Sequence, residues 1–471
     1  MPRALASRLA RRSSSHMGAL MLQAVVSAVR LPDLRRRILF TLGMLLIFRF
    51  IAHIPVPNVN PETLATLPET LRNSSSAQLQ LAQLLNIFAG GALQNFSVAA
   101  MGIYPYITAT IIMQLLTPLI PALEEMQKEG EQGRVRFNRY TVWLTIPLAF
   151  LQAYGQTITL DRTITGGAPL FRTPFDLFSN FLPTFTILVA MVGGTMLLVW
   201  LGDQITERGI GNGTSVIIFG GIVSSLPSLI NQGLQIGTAG GAQTVFGIIV
   251  FLVNGLLTIV GIVLMQEGQR RIPVQYAKRV RGNRVYGGQS SYIPLKVNMA
   301  GMIPLIFAQS IIIFPGTVAS WFYDPNGEGI GNAIAGFFFT NLSPQSAQGS
   351  LIYSLLLFLM VVAFTYFYTV VIFNQQNIPD NLQKNSGFIP GIRPGKRTEE
   401  YLGRVLNRIT LAGALFLGLV AVLPFLTQSI TGLQIGLGST ALLIVVGVAV
   451  DTMRQLEAQL MMRNYEGFIN R

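Results

Sequence analysis

The sequence contains no cysteine, and its 471 residues include only two histidines, His16 and His53. Without cysteine the chain cannot form disulfides, thiolate metal sites or thiol redox centres. Two histidines are too few for a histidine metal cluster, and no nucleophile with a neighbouring base is visible. We therefore predict a protein without a metal, a cofactor or catalytic residues.

Charge is also scarce, because charged residues make up 11% of the chain and hydrophobic residues 51%. The mean hydropathy is +0.51. A water-soluble protein carries roughly a quarter charged residues, so this composition indicates that lipid is the outer solvent. The net charge of +13 could indicate nucleic-acid binding, but in such a chain the sorting of charge across a membrane has to be considered first.

Charged residues divide the chain into uncharged apolar stretches, and a helix needs about 20 apolar residues to cross the hydrocarbon core. The pattern predicts an all-α membrane protein with ten transmembrane helices. The predicted spans lie near residues 38–57, 102–121, 140–159, 182–201, 214–231, 244–266, 298–316, 350–373, 409–427 and 438–455.

Positive charges are sorted between the loops that join these spans. Of the 33 Lys and Arg residues, 29 fall on one side, whereas Arg72, Arg162 and Arg172 fall on the other. The positive-inside rule then places both termini and the large basic loops in the cytoplasm. The remaining positive charge is Arg49, within the first span, where a charge costs at least about 2.5 kcal/mol at the bilayer centre. Arg49 could face a channel, contact another subunit or reach the nearby membrane surface.

The two tails are predicted to be cytoplasmic. Residues 1–37 are basic, and their first 30 residues contain no acid, which is also typical of a transit peptide or a short signal segment. The apolar run 17–29 is too short to span a membrane, so we favour an amphipathic extension, with Met17 or Met21 as an alternative start. Residues 456–471 form the carboxyl-terminal tail.

The uncharged stretch between Arg72 and Glu124 is too long for one span. Gly90, Gly91 and Pro105 interrupt it, which disfavours one straight helix. A short half-helix, a bend and then a full helix fit better. Irregular backbone at membrane depth requires cover from protein or a water-filled cavity, so this stretch predicts a cavity.

Several strings resemble motifs of the SecY family of the bacterial translocase, in family order and at family spacing. They are GGAL (90–93) with GIYPYI (102–107), QITERGIGNG (204–213), GQRRIP (268–273), PLKVNMAG (294–301) and GFIPGIRPG (387–395). The resemblance covers about residues 30–471. It implies two pseudo-symmetric five-helix halves, 38–231 and 232–455, with a central pore, a re-entrant plug half-helix and a lateral gate between the second and seventh spans.

The resemblance also implies site residues. The pore ring would be Ile103, Ile107, Ile218, Ile303 or Ile306, and Ile444, because converging branched side chains form a constriction that excludes ions by dewetting. The plug, about 86–97, would include Asn86, Phe88, Gly90, Gly91, Leu93 and Phe96. The lateral gate would use Thr108, Gln114, Asn298, Gln309 and Phe314, since interhelical hydrogen bonds of about 0.6 kcal/mol each can be broken by an entering signal sequence. Ordinary helix packing is the alternative for each set.

The loops 267–297 and 374–408 are rich in Lys and Arg. The resemblance implies that they contact the SecA motor ATPase and the ribosome, whose RNA would attract basic side chains through its phosphates. The candidate contacts are Arg270, Arg271, Lys278, Arg279, Arg281, Arg284, Arg393, Lys396 and Arg397. The alternative is that these residues only obey the positive-inside rule.

The implied function is a passive protein-conducting channel of the bacterial plasma membrane, powered by SecA or by the translating ribosome. Its implied partners are the SecE and SecG subunits, signal peptides, nascent chains and the lipid bilayer. A secondary transporter is the alternative from another class, since it also uses broken helices. No Asp or Glu falls in the middle of a predicted span, which favours the channel.

Overall fold

A computed structural model describes most of the chain. The described residues are 31–73, 86, 89–164, 169–176, 179–239, 242–276, 279–281, 284–286, 290–323, 329–342, 349–376, 378–384, 387–431 and 439–469. The expected tail 1–37 therefore lies mostly outside the described residues, as does Phe88 of the expected plug.

Helices dominate the described residues. They are α1 (Pro32–Ile51), α2 (Pro61–Asn73), α3 (Tyr104–Leu116), α4 (Pro121–Lys128), α5 (Glu131–Ile164), α6 (Phe181–Arg208), α7 (Gly213–Ala239), α8 (Ala242–Glu267), α9 (Ile303–Phe322), α10 (Ile330–Leu342), α11 (Gly349–Gln376), α12 (Ile378–Lys384), α13 (Lys396–Thr431) and α14 (Ser439–Ile469).

Each of the ten predicted spans overlaps one of the helices, namely α1, α3, α5, α6, α7, α8, α9, α11, α13 and α14 in chain order. By length and composition alone, α6, α11 and α13 contain stretches apolar enough to cross a membrane. The pair α3 and α4, bent by 106°, would make a fourth span. Ten membrane crossings thus remain a prediction, whereas the ten helices are observed.

Proline begins several of these helices. Pro32, Pro105, Pro121 and Pro304 each occupy one of the first two helical positions of α1, α3, α4 and α9. The first-turn N–H groups of a helix have no intrahelical acceptor, so proline loses no hydrogen bond there and its fixed φ suits the helix. These prolines therefore mark where the four helices begin.

The all-α expectation is wrong for the basic loops, because the described residues include five short strands. They are β1 (Gln269–Tyr276), β2 (Arg279–Arg281), β3 (Arg284–Tyr286), β4 (Ser290–Lys296) and β5 (Gly387–Phe388). Strands β4, β1 and β5 form an antiparallel sheet in that order, with Gln269 opposite Lys296 and Gln275 opposite Phe388. The sheet therefore joins the loop 267–297 to the loop 374–408.

Several buried clusters form the interior of the described residues, and three of them matter for the fold. The largest lies between α1, α6, α7, α8, α9, α11, α13 and α14 and includes Leu198, Leu305 and Leu417. A second cluster joins α2, α5 and α6 to the segment 93–101. The third lies beneath the sheet and contains Ile272, Leu295 and Leu402. The first cluster draws residues from both expected halves and is the interior in which a pore would lie.

The expected plug half-helix differs from the structure. Residues 89–103 form successive turns and one isolated β-bridge, between Ser97 and Pro55. Gly90, Gly91, Phe96 and Gly102 have positive φ, at 67°, 82°, 39° and 57°, and a right-handed helix requires negative φ. A continuous helix over these residues is therefore not formed.

Candidate functional site

The predicted pore-ring isoleucines converge on the largest apolar cluster. Ile103, Ile218 and Ile444 are buried members of it, with exposed fractions of 4% or less, while Ile107 and Ile306 are half-buried and pack against it. Ile303 begins α9 and is 39% exposed. Of the two alternatives on α9, the structure brings Ile306 into this cluster and leaves Ile303 out of it.

The expected plug segment packs on the same cluster. Ala89 and Ala92 are completely or almost completely buried members of it, alongside the isoleucines. The Oδ1 atom of Asn86 accepts hydrogen bonds of 3.1 Å from the backbone N–H groups of Leu93 and Gln94. This side chain therefore closes the turn that presents the two alanines to the cluster.

The other end of the segment belongs to a different environment. Leu93 and Phe96 are fully buried in the second cluster, and the ring of Phe96 lies 5.6 Å from that of Phe171 in an edge-on arrangement. The backbone N–H of Val56 donates to the carbonyl of Phe96 at 2.9 Å, and that of Val98 donates to Ile54 at 3.0 Å. Residues 96–98 are thus fixed by backbone bonds to the chain that follows α1.

The predicted gate residues lie where α9 packs against α3 and α5. The hydroxyl of Thr108 is 3.5 Å from Nε2 of Gln152 on α5, and the side-chain oxygen of Gln114 accepts a hydrogen bond from the phenol of Tyr368 on α11. Nδ2 of Asn298 donates to the carbonyl of Gly301 at 2.9 Å. Its Oδ1 is buried and finds no hydrogen-bond partner within the described part of the chain.

The last two gate residues lie on α9. Gln309 is half-buried there, and the side chain of Phe314 lies outside the described part of the structure. A cluster of Ile111, Phe307 and Tyr368, with Ile107 and Ile306 packed against it, fills the same contact region. We call this contact region between α3, α9 and α11 the seam.

Two residues of the seam, and one beside it on α5, were missed by the sequence reasoning. Tyr104 donates from its phenol to the carbonyl of Ser310 at 3.4 Å, Tyr368 bonds Gln114, and Gln152 bonds Thr108. Tyr104 belongs to the quoted GIYPYI motif, so that motif could have indicated it. Gln152 is a buried amide in an apolar stretch, which is an unusual placement that also carries a signal.

The two basic loops form one body on the predicted cytoplasmic side. Arg270 and Arg271 are exposed on β1, and the guanidinium of Arg271 lies 4.9 Å from the ring centroid of Tyr292 on β4. Arg393, Lys396 and Arg397 are exposed at the turn that precedes α13 and in its first residues. The sheet and the buried cluster beneath it join the arginines of β1 to the basic residues before and at the start of α13.

The remaining predicted contacts belong to the hairpin tip of the first loop. Arg279, Arg281 and Arg284 lie in the paired strands β2 and β3, with Arg281 opposite Arg284. Their side chains, and Lys278 as a whole, lie outside the described residues. The structure therefore brings the other five candidate cations onto one body and leaves the surroundings of these four undescribed.

A cavity of about 280 Å³ opens beside this unit, between the start of α7, the end of β4 and α14, and Lys296, Asp451 and Arg454 line it. Arg454 donates to Glu267 at 2.9 Å and to the carbonyl of Gln266 at 2.7 Å. Burial lowers the pKa of the Lys296 amine, Arg454 lowers it further, and Asp451 and Glu267 oppose this. The cavity wall thus carries two cations, Lys296 and Arg454, and one carboxylate, Asp451, while Glu267 is paired with Arg454.

Comparison with known proteins places these features in a family. A sequence model described as SecY matches residues 97–453. The protein translocase subunit SecY of Thermotoga maritima is 42% identical over 457 residues, which cover 96% of this chain and 98% of that protein. The subunit of the same name from Mycobacterium tuberculosis is 43% identical over 457 residues, covering 95% of this chain and all of that protein.

Solved structures share the fold. One described as "The structure of a protein conducting channel" superimposes with a TM-score of 0.62 at 17% identity and covers 90% of this chain and 92% of that one. Sec61 in a canine ribosome-channel complex superimposes with a TM-score of 0.59. The family match over most of the sequence, together with relatives that align along nearly their whole length, means that this chain belongs to the SecY family.

Proposed function

We propose that this chain is the central subunit of a protein translocase, a multi-pass membrane protein that conducts unfolded polypeptides across the membrane. The observation that carries the proposal is the apolar cluster in which Ile103, Ile218 and Ile444 meet Ala89 and Ala92. Aliphatic side chains make no specific hydrogen bonds, so such a waist accepts any sequence, and when closed it excludes ions by dewetting. Nothing in this mechanism requires the chain to be an enzyme.

We infer the finer architecture from the same observations. Ten spans would form two halves, 38–231 and 232–455, with residues 86–97 as the plug that fills the waist at rest. The seam would be the lateral gate, through which apolar segments of a translocating chain pass into lipid. Support comes from the cross-seam bonds of Tyr104 and Tyr368, because bonds of this kind are weak enough to break when an apolar segment enters.

Partners and orientation are inferred in the same way. The joined basic loops would lie in the cytoplasm of a bacterium, with both termini on that side, and would receive the SecA ATPase or a ribosome. Exposed Arg393, Lys396 and Arg397 suit phosphate-rich or acidic surfaces. SecE and SecG would complete the complex, and the energy for transport would come from SecA or from translation.

Site-specific crosslinking tests the proposal. A photoreactive residue at position 444, in membrane vesicles with a precursor stalled in transit, should crosslink to the precursor. The matched control is position 256 on α8, where Leu256 is 65% exposed and is expected to face lipid. Equal crosslinking from both positions, or none from position 444, would contradict a polypeptide path through the cluster.

A further inference from the structure

The sequence places one positive charge inside a predicted span, and the structure gives it a partner. Arg49 lies in the last turn of α1, is half-buried, and donates from Nη1 to the backbone carbonyl of Gly90 at 2.6 Å. We propose that Arg49 is a positioning residue that tethers the plug segment to the first helix and sets how readily the channel opens. This inference rests on the proposed function, because it assigns a role within the plug.

The local geometry directs the Gly90 carbonyl at Arg49. Gly90 has a φ of 67°, and a Cβ atom there would lie 2.6 Å from the Cα of Gly221 on α7 and 3.0 Å from the ring of Phe48 on α1. Gly90 is therefore wedged between two helices in a backbone conformation that favours glycine. The carbonyl of Gly90 is therefore a fixed hydrogen-bond acceptor. The guanidinium of Arg49 can bind it without the entropy cost of ordering the plug segment first.

The chemistry suits a tether that can be released. A hydrogen bond from a charged donor is shorter and stronger than one between neutral groups, and low-dielectric surroundings strengthen it further. No carboxylate within the described ranges forms an ion pair with Arg49. The observed acceptor for the guanidinium is the backbone carbonyl of Gly90. The hydrogen bond therefore breaks when the plug segment moves, and it does not depend on which side chains the segment carries.

Arg49 holds a different part of the segment from the other contacts. Residues 95–98 are bonded to residues 52–56 through the backbone pairs described above and through Nδ2 of Asn95, which donates to the carbonyl of Ala52 at 3.3 Å. Arg49 instead holds position 90, beside Ala89 and Ala92 in the apolar cluster. Loss of Arg49 should therefore free residues 89–92, while Leu93 stays buried in the second cluster and residues 95–98 stay in place.

The absence of cysteine from the chain provides a direct test. A single Ala92→Cys substitution puts a thiol at a completely buried position of the segment, and a membrane-impermeant maleimide reports its exposure in the assembled complex. We expect little labelling with Arg49 present and at least about tenfold faster labelling with R49Q, as expected for loss of a hydrogen bond to a charged group. R49K retains a charged donor and should restore most of the protection.

The matched control is Asn95→Ala in the same Ala92→Cys background. It removes a side-chain bond of the same segment but leaves the backbone pairs of residues 96–98, so labelling should stay slow. If N95A and R49Q increase labelling equally, or if R49Q does not change it, the tether is wrong. Should R49Q fail to assemble, the R49K complex decides: labelling somewhat faster than with Arg49 supports the tether, and labelling identical to that with Arg49 contradicts it.

Ion leak through the purified, reconstituted complex separates this inference from the proposed function. Deletion of residues 89–94 should raise the leak of the resting channel, and R49Q should raise it in the same direction. If the deletion raises the leak and R49Q does not, the proposed role of Arg49 is wrong, whereas the assignment of this segment as the plug is supported. If neither change raises the leak, the assignment of this segment as the plug is wrong, and so is the proposed tether.

Discussion

The phenol of Tyr368 on α11 donates a hydrogen bond to the side-chain oxygen of Gln114 on α3, two residues that are 254 positions apart in the sequence. The ring of Tyr368 also meets Phe307 on α9 edge-on, with the centroids 4.8 Å apart. One side chain on α11 therefore contacts both helices that the family resemblance assigns to the lateral gate.

Tyr368→Phe should make the seam easier to open. The substitution removes the hydrogen bond but retains the ring contact with Phe307. Interhelical hydrogen bonds in membranes average about 0.6 kcal/mol, so we expect an increase of about threefold in opening. The measurement is export of a reporter whose signal sequence has a shortened apolar segment, which should rise in the variant. Tyr366→Phe is the control, because Tyr366 donates at 3.4 Å to the carbonyl of Asn407, away from the seam. A similar rise in both variants would remove Tyr368 from the gate.

Gly90→Ala should displace the plug segment. The new Cβ would lie 2.6 Å from backbone of α7, and the residue would keep a φ that alanine disfavours. We expect a loss of about 1–3 kcal/mol from the closed state, visible as a lower thermal midpoint and a higher resting ion leak. Gly43→Ala is the control, because no atom lies within 4 Å of a Cβ at that position of α1. Alanine there should be neutral or slightly stabilising, and equal leak from both variants would contradict the prediction.

Leu295→Ala should loosen both basic loops together. Leu295 is completely buried in the core beneath the sheet, where it packs with Ile272 and Leu402 from the two loops. Truncation of a buried leucine costs about 2–5 kcal/mol. Limited trypsin digestion should therefore speed up within 267–297 and within 374–408 at the same time. Gln269→Ala, at an exposed position of β1, should change neither rate. Faster cleavage of only the first loop would show that the loops do not behave as one unit.

Arg393→Glu should weaken docking of the cytoplasmic partner. Arg393 is exposed in the turn before α13, where its backbone carbonyl accepts a bond of 3.0 Å from the hydroxyl of Thr398. If Arg393 contacts phosphate, its loss should make the plot of log affinity against log salt concentration less steep, by about one to two in the magnitude of the slope. Cosedimentation of ribosomes with the reconstituted complex at several salt concentrations measures this slope. Lys384→Glu makes the same change in charge at an exposed position of the same loop. Identical slopes for both variants would indicate a diffuse charge effect instead of a contact.

Helix placement was predictable because it depends on local composition. An uncharged apolar stretch of about 20 residues can satisfy its backbone in lipid only as a helix, and each stretch named in advance contains one. The strand β1 could also have been found, since buried Ile272 and Val274 alternate with exposed neighbours, which is the period-two pattern of a half-buried strand. Its pairing with β5 could not, because the partner lies more than a hundred residues away.

Composition and charge order alone therefore indicated a lipid-embedded helical chain and predicted that its basic loops share one side, since burial in lipid and the cost of moving charge act on each segment separately. Family motifs named the isoleucines and the gate residues. Only the folded chain brought Arg49 to the Gly90 carbonyl and Tyr368 to Gln114. Such contacts depend on how helices that are distant in the sequence pack, and on backbone angles such as the positive φ of Gly90. A local sequence pattern determines neither the packing nor these angles.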